Sequence, residues 1–220
     1  MRHESEGREA VGRVRRGGRV AARLEAVLWL AAAGLLGSVA WMKSDEVSYQ
    51  RRAAAELAAE AAAAPAAPDS SPVARAAVAP GTPIARLTIP RLELSAIVAE
   101  GDSDEILRRA VGHLPGSAPI GGAGNVALAG HRDTFFRALQ GIRANDRIVL
   151  EGARGGRTEY RVEWAALVEP RQVDVIEATG YPALTLVTCY PFHYIGSAPY
   201  RFVVRARRDG GDGPVLRAAG

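Results

Sequence analysis

The sequence predicts a mainly β fold, a closed or nearly closed barrel rich in antiparallel strands, preceded by one apolar helix and a linker. From residue 83 onward, about eight short strand-like segments alternate with turn residues, a pattern typical of small barrels. Before them comes an uncharged apolar stretch, and then a segment dominated by alanine and proline. The 220 residues leave room for one domain of ordinary size plus such extra segments.

The N-terminal part predicts a single membrane span. Residues 1–25 are polar and arginine-rich, and Ala26–Met42 carries no charge. As a helix this stretch measures about 26 Å, the short end of what crosses a bilayer. Trp29 and Trp41 lie near its two ends, and the preceding arginines predict a cytoplasmic N-terminus with the rest of the chain outside. Two alternatives stay open: a cleaved signal peptide, since Ser38–Ala40 resembles a small-x-small cleavage site, and a buried core helix.

Residues 43–82 predict a stalk and linker between the span and the folded domain. Ser44–Ala64 favours a helix, but nearly all its apolar residues are alanines, so we expect it to be solvated. Pro65–Pro83 is rich in proline, alanine and serine and indicates a semi-rigid spacer. We therefore expect a folded domain over residues 83–208 and a flexible tail over residues 209–220.

Strands in the folded domain are predicted from period-two alternation bounded by glycine and proline. A short helix capped by Asp102 or Ser103 is expected to run to Ala110, and Gln172–Ala178 should be a loop with at most a short helical piece. In the longest strand, Tyr160, Val162 and Trp164 should share one face. The individually placed strands are Ile84–Ile89, Leu92–Ala99, Val126–Ala129, Asp146–Leu150, Thr158–Leu167, Ala183–Cys189 and Tyr200–Arg207.

The only cysteine, Cys189, ends an apolar strand and is followed two residues later by Pro191. A partly exposed thiol held at a strand end is placed to act as a nucleophile, because the thiolate is the reactive form. The alternative is a small, buried structural side chain. One cysteine excludes an intramolecular disulfide framework.

Two further residues at strand edges predict a Cys/His/Arg site. His131 follows Gly130 at the end of one strand, and Arg201 opens the last strand. His113, in a predicted loop, could be a structural hydrogen-bonding residue, and His193 could reach Cys189 across a turn. Arginines 205, 207 and 208 are expected to point outward as a solvated face.

The run Thr185-Leu186-Val187-Thr188-Cys189 resembles the TLxTC signature of sortases, the cysteine transpeptidases of bacterial surfaces. Gly130-His131 and Arg201 match the other two motifs of this family, and the residues around Tyr190–Pro199 most resemble class D. The resemblance covers roughly residues 83–208.

This resemblance implies an eight-stranded barrel and a thioacyl-enzyme on Cys189. It implies that His131 exchanges protons with the leaving and incoming amines, and that Arg201 binds the substrate or the oxyanion. Thr188 could contact substrate, with strand packing as the alternative. The loops Val168–Gly180 and Phe192–Pro199 should wall the cleft.

The substrate implied by the resemblance is an LPxTG- or LPxTA-like sorting signal near the C-terminus of a secreted surface protein. The acceptor would be an amine such as a cell-wall precursor or a pilin lysine, for surface anchoring or pilus assembly. A hydrolytic cysteine peptidase and an inactive, membrane-tethered binding barrel remain alternatives.

No cofactor or metal is predicted. The cysteine and histidines lack metal-ligand spacing, and some sortases bind calcium through acidic loops. Glu100, Asp102 and Asp104 could supply such carboxylates, but helix capping explains the last two. The net charge of +4 comes without a nucleic-acid docking motif, so no nucleic acid is expected.

Overall fold

The computed structural model describes the backbone of residues 3–63, 78–153, 155–194 and 196–210, with side chains from residue 22 onward. Linker residues 64–77 and tail residues 211–220 lie outside these described residues. One helix, α1, runs over His3–Ala63, and a short helix, α2, over Asp104–Leu107. The strands are β1 Pro83–Ile89, β2 Leu94–Glu100, β3 Val111–His113, β4 Asn125–Ala129, β5 Arg147–Gly152, β6 Arg157–Val168, β7 Ala183–Tyr190 and β8 Tyr200–Arg208.

The eight strands form one closed barrel in the order β1-β2-β3-β4-β7-β8-β6-β5, which confirms the predicted fold class. The pairs β2–β3 and β4–β7 are parallel, and the other six neighbouring pairs are antiparallel. Closure leaves no open edge along the paired parts of the sheet. In this order β7 lies between β4 and β8.

Alternation along each strand separates an inner face from an outer face. Leu184 and Leu186 of β7 point into the core, as do Val204 of β8 and Leu128 of β4, and all four are completely buried. Burying a side chain of this size stabilises the fold by about 1.5–3 kcal/mol. The intervening residues of β4, β7 and β8, including Cys189, therefore lie on the outer face of the barrel.

Residues 1–45 form a unit of their own, and its apolar stretch is exposed to the surroundings. Leu28 is 69% exposed, and Trp29 and Trp41 are 70% and 71% exposed. Over Ala22–Ala63 the best window has a mean hydropathy of 1.6, and none of that window is buried. These exposures contradict the core-helix alternative and are consistent with a membrane anchor or a signal sequence.

The C-terminal part of α1 belongs to the barrel unit, which begins at Glu46. Ala53 and Leu57 are 2% and 8% exposed and pack with Ile97 of β2. The Gln50 side chain accepts a hydrogen bond from the Ile97 N–H (2.9 Å) and donates one to the Arg109 carbonyl (2.7 Å). The expectation of a solvated stalk is therefore wrong for this segment, because Ala53, Leu57 and the Gln50 amide contact the barrel.

Two details of the folded domain differ from the predicted pattern. Strand β3 was not predicted, because three residues are too few to show alternation. In β6 a bulge between Val162 and Trp164 shifts the pairing with β8 by one residue. Tyr160 and Val162 are buried as expected, but Trp164 is turned to the other face and is 40% exposed.

One short helix is shorter than predicted, and the loop after β6 is as predicted. Ser103 is the N-cap of α2, and its Oγ accepts a hydrogen bond from the Ile106 N–H, but the helix ends at Leu107 instead of Ala110. The loop over residues 169–182 contains only a 3₁₀ turn at Asp174–Ile176, as expected for that segment.

Candidate active site

Cys189 and Arg201 lie directly opposite each other on the paired strands β7 and β8. In the antiparallel β7–β8 register they are Cα partners. Directly opposed residues project to the same face, with Cβ atoms about 4.5–5.5 Å apart. The ladder therefore brings the thiol and the guanidinium, twelve positions apart in sequence, to one end of the outer face.

His131 reaches the same end of the barrel from the other side of β7. The Gly130 N–H donates to the Val187 carbonyl at 3.2 Å, which extends the β4–β7 ladder up to the histidine. The Thr188 hydroxyl donates to the Gly130 carbonyl at 2.7 Å and is buried. This hydrogen bond is consistent with the packing alternative for Thr188, because the hydroxyl fixes the residue that precedes His131.

A glycine is needed at position 130 because an aromatic ring lies behind it. A Cβ added to Gly130 would come within 2.8 Å of the Phe136 ring, closer than a Cβ atom approaches a non-bonded carbon. Phe136 is completely buried, and its N–H donates to the His131 carbonyl at 3.1 Å. The chain can therefore turn at His131 over a rigid aromatic support.

The three side chains are half-buried, so each is held by the fold and still reachable. Among the described residues, no side chain or backbone group forms a hydrogen bond with the His131 ring or the Cys189 thiol. Within the described part of the chain, the Arg201 side chain makes one hydrogen bond, from Nη1 to the Tyr200 carbonyl at 3.3 Å. A guanidinium has five donors, so most of them stay available to a ligand.

A shallow apolar floor leads away from this end along the outer face. Register places Ala129 of β4 beside Val187 of β7, which in turn pairs with Val203 of β8, while Ala127 lies beside Thr185. Ala129 and Val187 are half-buried, and the other two are fully buried. Ala129 and Val187 are therefore the part of this surface that an extended peptide can reach.

Two loops flank this floor. A cleft of about 380 Å³ is lined by Glu169, Pro170 and Arg171 of the β6–β7 loop, by Pro199 of the β7–β8 loop and by Tyr200, the first residue of β8. Both loops are the ones expected to wall the site. Its lining residue Tyr200 directly precedes Arg201 in the chain.

Arg132 ties the β7–β8 loop to the histidine segment. One guanidinium nitrogen, Nη2, donates to the carbonyls of Tyr194 (2.8 Å) and Gly196 (3.0 Å). The guanidinium also lies 5.7 Å from the centre of the Tyr194 ring. Sequence reasoning missed this residue, since its partners lie more than sixty positions away and are backbone atoms that carry no sequence signal.

The two rival histidines lie in different environments. His113 is 6% exposed, and its Nδ1 lies 2.9 Å from the Glu100 carboxylate. Its Nε2 lies 3.0 Å from both the Ala118 carbonyl and the Ser117 hydroxyl. This confirms the structural interpretation of His113. His193 is exposed in the β7–β8 loop.

The acidic residues considered for a metal have other roles or stay separate. Glu100 contacts His113, and Asp104 lies in the first turn of α2. Within the described part of the chain, no group of three or more histidine, cysteine, aspartate or glutamate side chains is arranged to hold a metal ion.

The arginines of β8 correct one expectation. Arg207 is half-buried, donates to Glu163 at 2.7 Å and stacks 3.7 Å from the Tyr181 ring centre. Arg205 is only 6% exposed, so it is not part of a solvated face. Burial, followed by the Glu163 hydrogen bond, raises the pKa of the Tyr181 phenol.

Comparison with known proteins indicates a single family. The sequence model described as the sortase domain matches residues 87–209. The chain is similar to Sortase D of Bacillus subtilis strain 168, with 32% identity over 123 residues, 56% of this chain and 62% of that protein. The chain therefore spans less than two thirds of that relative's length.

Solved structures show the same similarity. Sortase E1 from Streptomyces coelicolor, solved with a tripeptide in its active site, superposes with a TM-score of 0.55 at 30% identity, covering 61% of this chain and 93% of that one. The Sortase D5 transpeptidase of Clostridium perfringens superposes with a TM-score of 0.56 at 24% identity, covering 61% of this chain and 83% of the other. The second match shows the shared fold alone.

Proposed function

Since the chain belongs to the sortase family, we propose that it is a membrane-anchored cysteine transpeptidase, similar to class D sortases, with Cys189, His131 and Arg201 as its catalytic residues. The observation that carries the proposal is the cross-strand pairing of Cys189 with Arg201, beside the strand end that presents His131. This arrangement offers a nucleophile, a proton-transfer group and a fixed cation on one face.

The proposed reaction has two half-reactions. The Cys189 sulfur attacks the scissile carbonyl, and the tetrahedral intermediate collapses to a thioester as the amine leaves with a proton from His131. An incoming amine then attacks the thioester and gives its proton to His131, which restores the thiolate. Arg201 donates hydrogen bonds to the negatively charged oxygen or to the substrate backbone, a use suited to its permanent charge.

The proposed substrate is an extended peptide of the LPxTG or LPxTA type, lying on the floor between the two loops. The small residues of β4 and β7 allow a peptide backbone to approach closely, and the cleft beside Tyr200 offers room for its side chains. The tripeptide in the active site of the Streptomyces coelicolor relative supports a peptide at this position. The proposed acceptor is an amine of a cell-wall precursor or a pilin lysine.

The test uses the full-length chain in detergent micelles with a library of sorting-type pentapeptides and hydroxylamine. We expect a thioacyl adduct on Cys189 by intact mass and peptide hydroxamates as products. Cys189→Ala should fold with the same circular dichroism spectrum and give neither species. Products from water alone, with hydroxylamine ignored, would replace the transpeptidase with a hydrolytic peptidase. No product from a folded protein whose thiol resists alkylation would favour a binding barrel.

Localisation is part of the proposal: the N-terminus in the cytoplasm and the barrel outside. Cys189 is the only cysteine, so a membrane-impermeant maleimide reports the position of the barrel directly. We expect labelling on intact cells without permeabilisation, with Cys189→Ala as the blank. Labelling that requires lysis would contradict this orientation.

A further inference from the structure

Arg205 is a buried cation with no carboxylate partner among the described residues. It lies on the outer face of β8 and is 6% exposed. Its Nη2 donates to the Val175 carbonyl at 2.7 Å, its charge lies 5.5 Å from the centre of the Trp164 ring, and its buried Nε lacks a partner. Burying a cation this way is costly, so the contact it makes with the β6–β7 loop is the feature to explain.

A second buried polar group contacts the same loop from β4. The Asn125 side-chain amide, at 2% exposure, donates to the Glu177 carbonyl at 3.0 Å and approaches the Val175 carbonyl at 3.5 Å. Thr185, directly opposite Arg205 on β7, donates its hydroxyl to the Asn125 side-chain oxygen at 2.7 Å. This bond fixes the amide so that its N–H groups face the loop.

Thr185 and Arg205 are directly paired, and Asn125, opposite Ala183, is their diagonal neighbour on β4. We call these three residues the anchor row: Asn125, Thr185 and Arg205. All of its contacts with the loop end on carbonyls at or next to the 3₁₀ turn Asp174–Ile176. Backbone carbonyls are the same whatever the loop sequence, so the row fixes the position of the turn and leaves its side chains free.

The anchor row lies on the same outer face as Cys189, His131 and Arg201 and at a fixed distance from them. Thr185 and Cys189 are four residues apart on one strand, which at about 3.3 Å per residue is roughly 13 Å. Ala129, Val187 and Val203 lie between the two levels. The turn therefore stands at the far end of a surface about as long as four residues of extended peptide.

We propose that Asn125, Thr185 and Arg205 are positioning residues that hold the β6–β7 turn in place and so set the closed end of the peptide groove. The inference rests on the proposed function for its link to peptide, but its structural part stands on the hydrogen bonds alone. None of the three residues touches the reacting atoms, so their loss should weaken peptide binding and leave the chemistry of the thiol unchanged.

The experiment compares Thr185→Val, which keeps the shape and removes the hydroxyl, with Thr185→Ser, which keeps the hydroxyl. Arg205→Met is the stronger variant, and Arg161→Met, on an exposed arginine paired with Asp209, is its matched control. Hydrogen exchange is read at the amides of Ile176 and Glu177, which are bonded within the turn.

We expect both amides to exchange on the order of tenfold faster in Thr185→Val and Arg205→Met, since each variant loses one anchoring hydrogen bond. KM for the sorting peptide should rise by a similar factor, while kcat and the rate of Cys189 alkylation stay within about twofold. Thr185→Ser and Arg161→Met should match the unsubstituted protein in every readout.

Unchanged exchange in Thr185→Val would overturn the anchoring role, and so would an equal acceleration in the β7 amides, since that reports general loosening. Faster exchange of the turn with an unchanged KM would overturn its link to the groove. If the unsubstituted protein processes no peptide, the proposed function fails. The exchange data still decide whether the row anchors the turn.

Discussion

The barrel carries two Gly-His pairs on neighbouring strands, and they have opposite environments. Gly112-His113 ends β3 and Gly130-His131 follows β4, and the two strands pair with His113 opposite Leu128. Leu128 points into the core, so His113 points inward with it. His131 is half-buried on the outer face beyond the end of β4. The same dipeptide is thus used once for structure and once at a candidate reactive site.

The contacts of each ring separate these two roles. A carbonyl can only accept, so the Nε2 of His113, next to the Ala118 carbonyl, carries a proton, and its Nδ1 faces the Glu100 carboxylate. Both nitrogens are occupied and the ring has no means to exchange protons with a ligand. Within the described part of the chain, the His131 ring contacts neither donor nor acceptor. A proton-transfer group must have a nitrogen available to substrate.

The largest expected effect is on His131. Replacing it with alanine should lower kcat/KM for the sorting peptide by about 10²–10⁴-fold, the range that general acid–base groups supply. The melting temperature should stay within a degree or two, because the side chain supports no hydrogen bond in the described structure. Peptide turnover and thermal unfolding measure both. If the variant keeps its turnover, the contrast between a reactive His131 and a structural His113 is wrong.

A somewhat smaller effect is expected on the cation opposite the thiol. Arg201→Lys keeps the charge but loses the planar set of donors, so kcat/KM should fall by roughly 10²-fold. Alkylation of Cys189 serves as the control, since a folded, accessible thiol must still react. If lysine supports full activity, Arg201 supplies only charge.

The effect of replacing His113 should be on stability instead. His113→Leu leaves Glu100 and the Ala118 carbonyl without their partner, so the free energy of unfolding should fall by about 2–3 kcal/mol. Urea denaturation measures this loss. Below the unfolding transition, kcat should match the unsubstituted protein within about twofold. A hundredfold loss of kcat in a folded variant would give His113 a catalytic part and remove the distinction.

The smallest expected effect is on stability in acid, and it involves neither histidine. Hydrogen bonding to Arg91 holds the pKa of Asp146 below its ordinary value of 3.8, opposed by burial. A lowered pKa in the folded state gives stability that is fully present above 3.8 and is lost as the pH falls through the folded value. Asp146→Asn should cost about 1–2 kcal/mol at neutral pH. Its free energy of unfolding should then vary less than that of the unsubstituted protein between about pH 2 and 4. If the free energy of unfolding of Asp146→Asn depends on pH as strongly as that of the unsubstituted protein, another carboxylate is responsible for the loss of stability in acid.

Sequence reasoning found the barrel and the three candidate catalytic residues because both leave local signals. Strands show alternation bounded by turns, and Cys189, His131 and Arg201 each stand at a strand boundary in a recognisable motif. The same reasoning could not see register. The bulge after Val162 moves Trp164 to the other face, and that ring then lies over Arg205. A buried arginine on a strand with alternating arginines has the sequence pattern of a solvated one.

The anchor row was missed for a related reason. Asn125 and Thr185 are sixty positions apart and meet only because β4 and β7 are parallel neighbours. The anchor row forms hydrogen bonds with backbone carbonyls of the loop, and the loop sequence gives no sign of these bonds. Long-range contacts between side chain and backbone leave no pattern in one sequence, so they had to come from the fold.

The side chain of Gln50 has a practical consequence for making this protein in soluble form. A fragment that begins at Gly81 would remove the amide that satisfies the Ile97 N–H and the Arg109 carbonyl, and would uncover the apolar surface around Ile97. An unpaired backbone donor beside exposed apolar surface is a template for pairing with another chain. A fragment that begins at Glu46 keeps this cover. Aggregation in the shorter fragment would therefore be the expected result of that choice of boundary and would not indicate an unstable barrel.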